Sequence, residues 1–246
     1  MSLLREQLIG YAIKYQGDYA KIIRAFDNKE DYQPVDVKAI TILDPFYPEK
    51  LRDLRLPPLV LFYKGNTDLL KREAVAVIGS RKMTEKGRKT TEYVTDHLKK
   101  RYVIVSGMAK GVDGVAHRFA LDSGTIAVLG SGIDRIYPKE NRDLYHALEK
   151  DHLIISEYPF DYPPYAQNFR FRNRIIAALS QAVYVTQAQN RSGTFITVNE
   201  ALDLNREIYV APYHLFDEEA YGSNLLISEG ATLLTREHLD NICNCK

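Results

Sequence analysis

Four arginines, Arg170, Arg172, Arg174 and Arg191, lie between Ala166 and Asn199, a stretch without aspartate or glutamate. Phe169 and Phe171 interleave with the first of them. A solvated face normally mixes signs. An acid-free run with interleaved rings suits a polyanion with exposed bases: cations hold phosphates and rings stack on unpaired bases.

A second signal recurs at glycine turns. Ala74-Val75-Ala76-Val77-Ile78 runs without polar alternation into Gly79-Ser80-Arg81. Such a run reads as a strand buried on both faces. Strand, glycine turn and helix N-terminus together favour an anion, and Arg81 adds a forked cation. Ser80 is placed to accept from the first amides of the next helix. The same residues also fit an ordinary strand-to-helix turn with a surface arginine. The run Ser106-Gly107-Met108-Ala109-Lys110-Gly111-Val112-Asp113 resembles a phosphate cradle. It is not a P-loop, because Lys110 precedes the second glycine and no Lys-Ser/Thr follows. Gly130-Ser131-Gly132 leads to Lys139 and Asn141 at a helix start, where turn chemistry and an asparagine N-cap also explain them. Arg191-Ser192-Gly193-Thr194 repeats the logic of Gly79-Ser80-Arg81.

Acid–base machinery is thin. Asp113, Asp134 and Glu157 follow strand ends, and His97 and His117 fall in helices with no evident partner. Nothing resembles a nucleophile elbow, a metal triad or a kinase signature. No catalytic residue, metal or cofactor is expected. Cys243 and Cys245 cannot build a zinc site alone and read as incidental.

These residues need a scaffold that gathers strand ends. Strands are expected at 75–79, 102–106, 125–130, 153–156, 182–187 and 207–211, with helices near 85–100, 112–122, 141–150, 171–180 and 194–205. Strand–helix alternation means parallel pairing with right-handed crossovers. The fold class is therefore α/β, a doubly wound, mostly parallel sheet whose ligands bind beyond the carboxyl ends of its strands. Residues 1–65 differ and read as a small helical N-terminal domain with a proline-rich linker; residues 66–246 form the main domain. Two helical patterns, Leu3 to Ile13 and Ala20 to Phe26, flank Gly17-Asp18, and a short strand, 59–63, follows Leu56-Pro57-Pro58. The net charge is +1, so any attraction to nucleic acid must come from a local patch. No apolar run reaches the ~20 residues of a membrane span, and the N-terminus lacks a signal-type apolar core, which implies the cytoplasm.

Seven motifs in fixed order carry a resemblance. They include Val77-Ile78-Gly79-Ser80-Arg81, Ser106 to Asp113, Ala127 to Gly130 with Tyr137-Pro138, and Ser156-Glu157-Tyr158. They continue with Phe171-Arg172-Asn173-Arg174 through Ser180, Ser192-Gly193-Thr194, and Gly222 to Ile227. Over about residues 41 to 235 the chain resembles the DprA/Smf family of DNA-processing proteins. The resemblance implies an extended Rossmann-like fold and a homodimer without a known catalytic reaction. It also implies binding and protection of single-stranded DNA with little sequence preference, and help in loading the RecA recombinase during natural transformation. The expected DNA site comprises Gly79, Ser80, Arg81, Ser106, Gly107, Lys110, Gly111, Lys139, Asn141, Phe171, Arg172, Asn173, Arg174, Arg191, Ser192, Gly193 and Thr194.

There are departures from the family pattern. Phe169-Arg170 stands where the family has Phe-Pro, Gln187 where a glutamate is common, and Pro212-Tyr213 where Pro-Gly is usual. The winged-helix-like C-terminal domain of many members is not expected here. The alternative is a nucleotide-processing enzyme of the LOG-like phosphoribohydrolase type, with Glu157 as the acid. That type's catalytic glutamate on the helix after the paired glycines is not found in Ser192-Gly193-Thr194-Phe195-Ile196-Thr197-Val198-Asn199.

Overall fold

The structure, a computed structural model, describes residues 3–244. Cys245 lies outside the described residues, and Cys243 is a free thiol. The chain opens with α1 (Leu3–Lys14), α2 (Tyr19–Asp27), β1 (Ala39–Thr41) and β2 (Val60–Gly65). Alternation then runs through β3 (Ala74–Gly79), α3 (Glu85–Leu98), β4 (Val103–Ser106), α4 (Val112–Phe119), β5 (Thr125–Leu129), α5 (Arg142–Asp151) and β6 (Leu153–Ser156). It continues with α6 (Ala166–Leu179), β7 (Ala182–Gln187), α7 (Gly193–Asp203) and β8 (Glu207–Val210), and ends in α8 (Tyr221–Ser228), β9 (Thr232–Leu233) and α9 (Arg236–Asn244).

Among the described residues nine strands form one sheet, in the order β1-β2-β6-β5-β4-β3-β7-β8-β9. From β3 on, every pairing is parallel. β1 and β2 extend the β6 edge antiparallel. The sheet thus crosses the boundary expected at 65/66. The described part of residues 1–65 supplies two strands, and α1 and α2 share a core with β5, β6 and α5. Two short strands, β1 and β9, were not expected, and α6 starts at Ala166 rather than near 171. The helix begins there because Pro163-Pro164 and an extended Tyr165 precede it.

The sheet is apolar on both faces because helices cover both. Ala76, Ile78, Val105, Val128, Ile155 and Val185 face α6, α7 and α8. Their neighbours Val75, Val77, Ile104 and Tyr184 face α3, α4 and α9. From β3 the chain moves outward through β4, β5 and β6, then returns to place β7 on the other side of β3. The connections after β3 and β7 leave on opposite faces, which opens a crevice at their carboxyl ends. Among the described residues no helix is long and apolar enough to cross a membrane.

Candidate nucleic-acid interface

The crevice is an open groove of about 900 Å³. Its walls are the loop after β3, the loop after β7 with the start of α7, and one face of α6. Of the residues expected from the sequence, Gly79, Ser80, Arg81, Arg172, Asn173, Arg191, Ser192, Gly193 and Thr194 line it together. Lys82, Tyr137, Phe169 and Arg170 join them and were not among the expected site residues.

The β3 loop is knitted to its neighbours. Gly79 pairs with Gln187 after a shift in register, and a side chain there would meet the Gln187 carbonyl at 2.5 Å. The smallness of Gly79 therefore serves strand packing. Ser80 donates its amide to the Gln187 carbonyl at 2.7 Å and accepts from Val112 at 3.1 Å. Its hydroxyl accepts from the Lys82 amide at 3.1 Å and donates to the Lys82 carbonyl at 2.9 Å. Ser80 does not cap the next helix, as the sequence suggested. That role falls to Thr84, whose hydroxyl accepts from Gly87 at 3.1 Å. Gln187, fully buried, holds this cap by accepting from the Thr84 amide at 2.9 Å. The local serine ring turns Arg81 outward, with its guanidinium 5.4 Å from the Phe169 ring centroid.

The opposite wall supplies a helix N-terminus. Arg191 takes a left-handed backbone (φ +52°) and leads to Ser192 at the α7 N-cap. The Ser192 hydroxyl oxygen is buried without a hydrogen-bond partner among the described residues. Space beside Gly193 is open, and the first turn carries no acid. Free amides and the helix dipole there favour an anion. Four exposed cations surround it: Arg81, Lys82, Arg170 and Arg191, none in an ion pair among the described residues. Among the described residues the one acid lining the groove is Asp113, 8% exposed.

Arg172 is a strut beneath this surface. It is 3% exposed and donates to the carbonyls of Gly107, at 2.7 Å, and Val128. Burial pulls its pKa down to about 10 against the favourable charge of Asp113. Burial likewise raises the Asp113 carboxyl, against the charge of Arg172 and the amide of Ala109.

The remaining expected residues lie outside the groove lining. Arg174 is buried, with both terminal nitrogens on Glu157 at 2.6 Å and its guanidinium 3.6 Å from the Phe171 centroid. The Ser106 hydroxyl donates to Val77 at 2.7 Å. Gly111, left-handed at φ +76°, packs on the Ser80 carbonyl. Asn141 donates to Met108 and Ala109, both at 3.1 Å, and so fastens the loop after β4. Lys110 is paired with Glu140 at 2.5 Å, and Lys139 is exposed but apart. The departure at Pro212-Tyr213 is accommodated: the Tyr213 hydroxyl donates to Thr186 at 2.7 Å.

The groove-lining residues sit within a chain segment of known kind. The model of the DNA recombination-mediator protein A family matches residues 38–245. The chain is 45% identical over 199 residues to DNA processing protein DprA of Streptococcus pneumoniae, covering 80% of this chain and 71% of that protein. It is 36% identical over 236 residues to DprA of Bacillus subtilis, covering 94% and 78%. A solved structure of DNA processing protein A from Streptococcus pneumoniae matches with a TM-score of 0.80 and 35% identity, over 96% of this chain and 91% of that one. Another, of the Helicobacter pylori protein and its single-stranded DNA binding mode, matches at 0.76 and 32%, over 85% and 95%.

Proposed function

This chain belongs to the DNA recombination-mediator protein A family, and from that membership and the groove we propose that it binds single-stranded DNA at the carboxyl ends of β3 and β7. The observation that carries this reading is the set of four exposed cations, in no ion pair among the described residues, that line the groove with the open N-terminus of α7. Cations and backbone amides hold phosphates and carry no sequence information, so affinity is nearly independent of sequence. The similar Helicobacter pylori protein, described for its single-stranded DNA binding, supports the choice of ligand. The Phe169 ring beside the cations favours an unpaired strand over a duplex.

The bound strand is protected and passed to the RecA recombinase during natural transformation, in the cytoplasm; the family resemblance supports this part. The protein works as a homodimer. Leu202 and Leu233, at 57% and 46% exposure, are apolar surface available for that contact. No reaction is assigned: Glu157, the acid of an enzymatic reading, is committed to Arg174.

The test is a competition between single-stranded and duplex DNA of equal length for the full chain. Preference for the single strand is expected, and equal or tighter duplex binding contradicts the proposal. Mononucleotide turnover that vanishes in a Glu157→Gln protein shown by its melting curve to be folded would restore the enzymatic reading. Light scattering at micromolar concentration tests the dimer, and a monomer that binds DNA normally rejects it.

A further inference from the structure

One wall of the groove carries a column of three side chains from three different elements. The Arg81 guanidinium lies over Phe169, 5.4 Å from its ring centroid. Tyr137, from the connection after β5, packs on Phe169 with centroids 5.5 Å apart and planes 32° apart. Tyr137 lines the groove and keeps 43% of its surface exposed. Its ring therefore rests on Phe169 while much of it stays open to a ligand. The cations that surround the groove lie within the same lining.

We propose that Tyr137 is a base-stacking platform, on which one nucleobase of the bound strand lies. The inference rests on the reading of the groove as a single-strand site. Any of the four bases fits, because each has a π face and stacking needs no edge-specific hydrogen bond. The column also gives Arg81 a fixed place relative to that base. Phe169 packs against both, so the phosphate held by Arg81 and the base on Tyr137 belong to one short stretch of strand. Arg170 and Asn173 extend the same α6 wall beyond Phe169. The hydroxyl of Tyr137 has no part in the proposal; the ring does.

The experiment uses the full chain, oligothymidine, and an oligomer of equal length with abasic sugars. Tyr137→Ala is expected to weaken oligothymidine binding on the order of tenfold, the typical effect of removing one stacking ring. Binding to the abasic oligomer and the salt dependence of both are expected to stay unchanged. Tyr137→Phe should behave as wild type. Tyr137→Leu, which keeps an apolar cover over Phe169, should lose affinity as Tyr137→Ala does, and it serves if the alanine variant melts early. Equal weakening for both oligomers, or no weakening for either, overturns the platform. A wild-type protein that binds neither oligomer would instead reject the single-strand reading itself.

Discussion

Arg174 and Glu157 meet as a buried, two-pronged ion pair, each contact 2.6 Å, with the side chains 5% and 7% exposed. The pair ties α6 to the residue just after β6, and Arg174 Nε also donates to the Leu56 carbonyl at 3.0 Å. Two of the arginines in the acid-free stretch thus build the fold, and two lie at the groove surface. Arg172 and Arg174 point inward; Arg170 and Arg191 point out.

Removing one partner of such a pair leaves a buried charge uncompensated. Glu157→Gln should therefore destabilise the protein by about 3–5 kcal/mol. The slope of affinity against salt should not change, because neither residue lines the groove. Denaturant unfolding and a salt titration check the two parts, and a variant of near wild-type stability contradicts the first.

Gly111 has φ +76°, and a side chain on it would come within 2.2 Å of the Ser80 carbonyl oxygen. Gly111→Ala should cost at least ~1–2 kcal/mol from the left-handed backbone alone. It should also weaken DNA binding, since the loop that carries Arg81 must move. A melting curve and a binding isotherm on the same sample test this; an unshifted melting temperature contradicts it.

His117 is fully buried on α4. Thr125 spends its hydroxyl hydrogen on the Ile104 carbonyl at 2.7 Å, so it must accept from His117 Nδ1 at 2.6 Å. Nε2 is left without a partner among the described residues. Burial, helped by the charges of Arg172 and His152, pulls the His117 pKa from 6.5 down to about 3. The unfolded chain then binds a proton that the folded chain refuses. Stability is full above pH 6.5 and falls as pH drops toward 3. Urea midpoints between about pH 6.5 and 5, above most carboxylate titration, should decline in the wild type and less in His117→Gln. A flat wild-type profile in that window contradicts the assignment.

The sheet was legible because strands buried on both faces need uninterrupted apolar runs, such as Ala74 to Ile78 and Ala182 to Val185. β1 and β9, at three and two residues, are too short to show a period. In the site, the phenylalanine–arginine alternation mixed two helical faces. Phe169, Arg170 and Asn173 share the face toward the groove, whereas Phe171 and Arg174 sit one turn apart on another. The rotation of α6 about its axis, fixed by buried Ile175, Ala177 and Ala178, decides which face meets the groove. Arg172 looked like a phosphate ligand because arginines are usually exposed. Its partners, Gly107 and Val128, lie 65 and 44 residues away in the chain. Lys82 carries no sequence signal beyond proximity to Arg81, and Tyr137 stands out only as part of the Tyr137-Pro138 motif, which says nothing of where its ring lies.

On the single-strand reading, Arg81 holds a phosphate of the strand. The α3 N-terminus lies beyond Thr84, so the cation at Arg81 acts without that helix's dipole. A guanidinium can grip one phosphate through two parallel hydrogen bonds, which lysine cannot copy. The decisive measurement is the affinity of Arg81→Ala for single-stranded DNA across a salt series, with a melting curve of the same sample. Weaker binding to every sequence is predicted, with a salt slope shallower by ~0.7 and melting unchanged, because the residue is exposed. An unchanged affinity and slope in a folded Arg81→Ala protein would contradict the account.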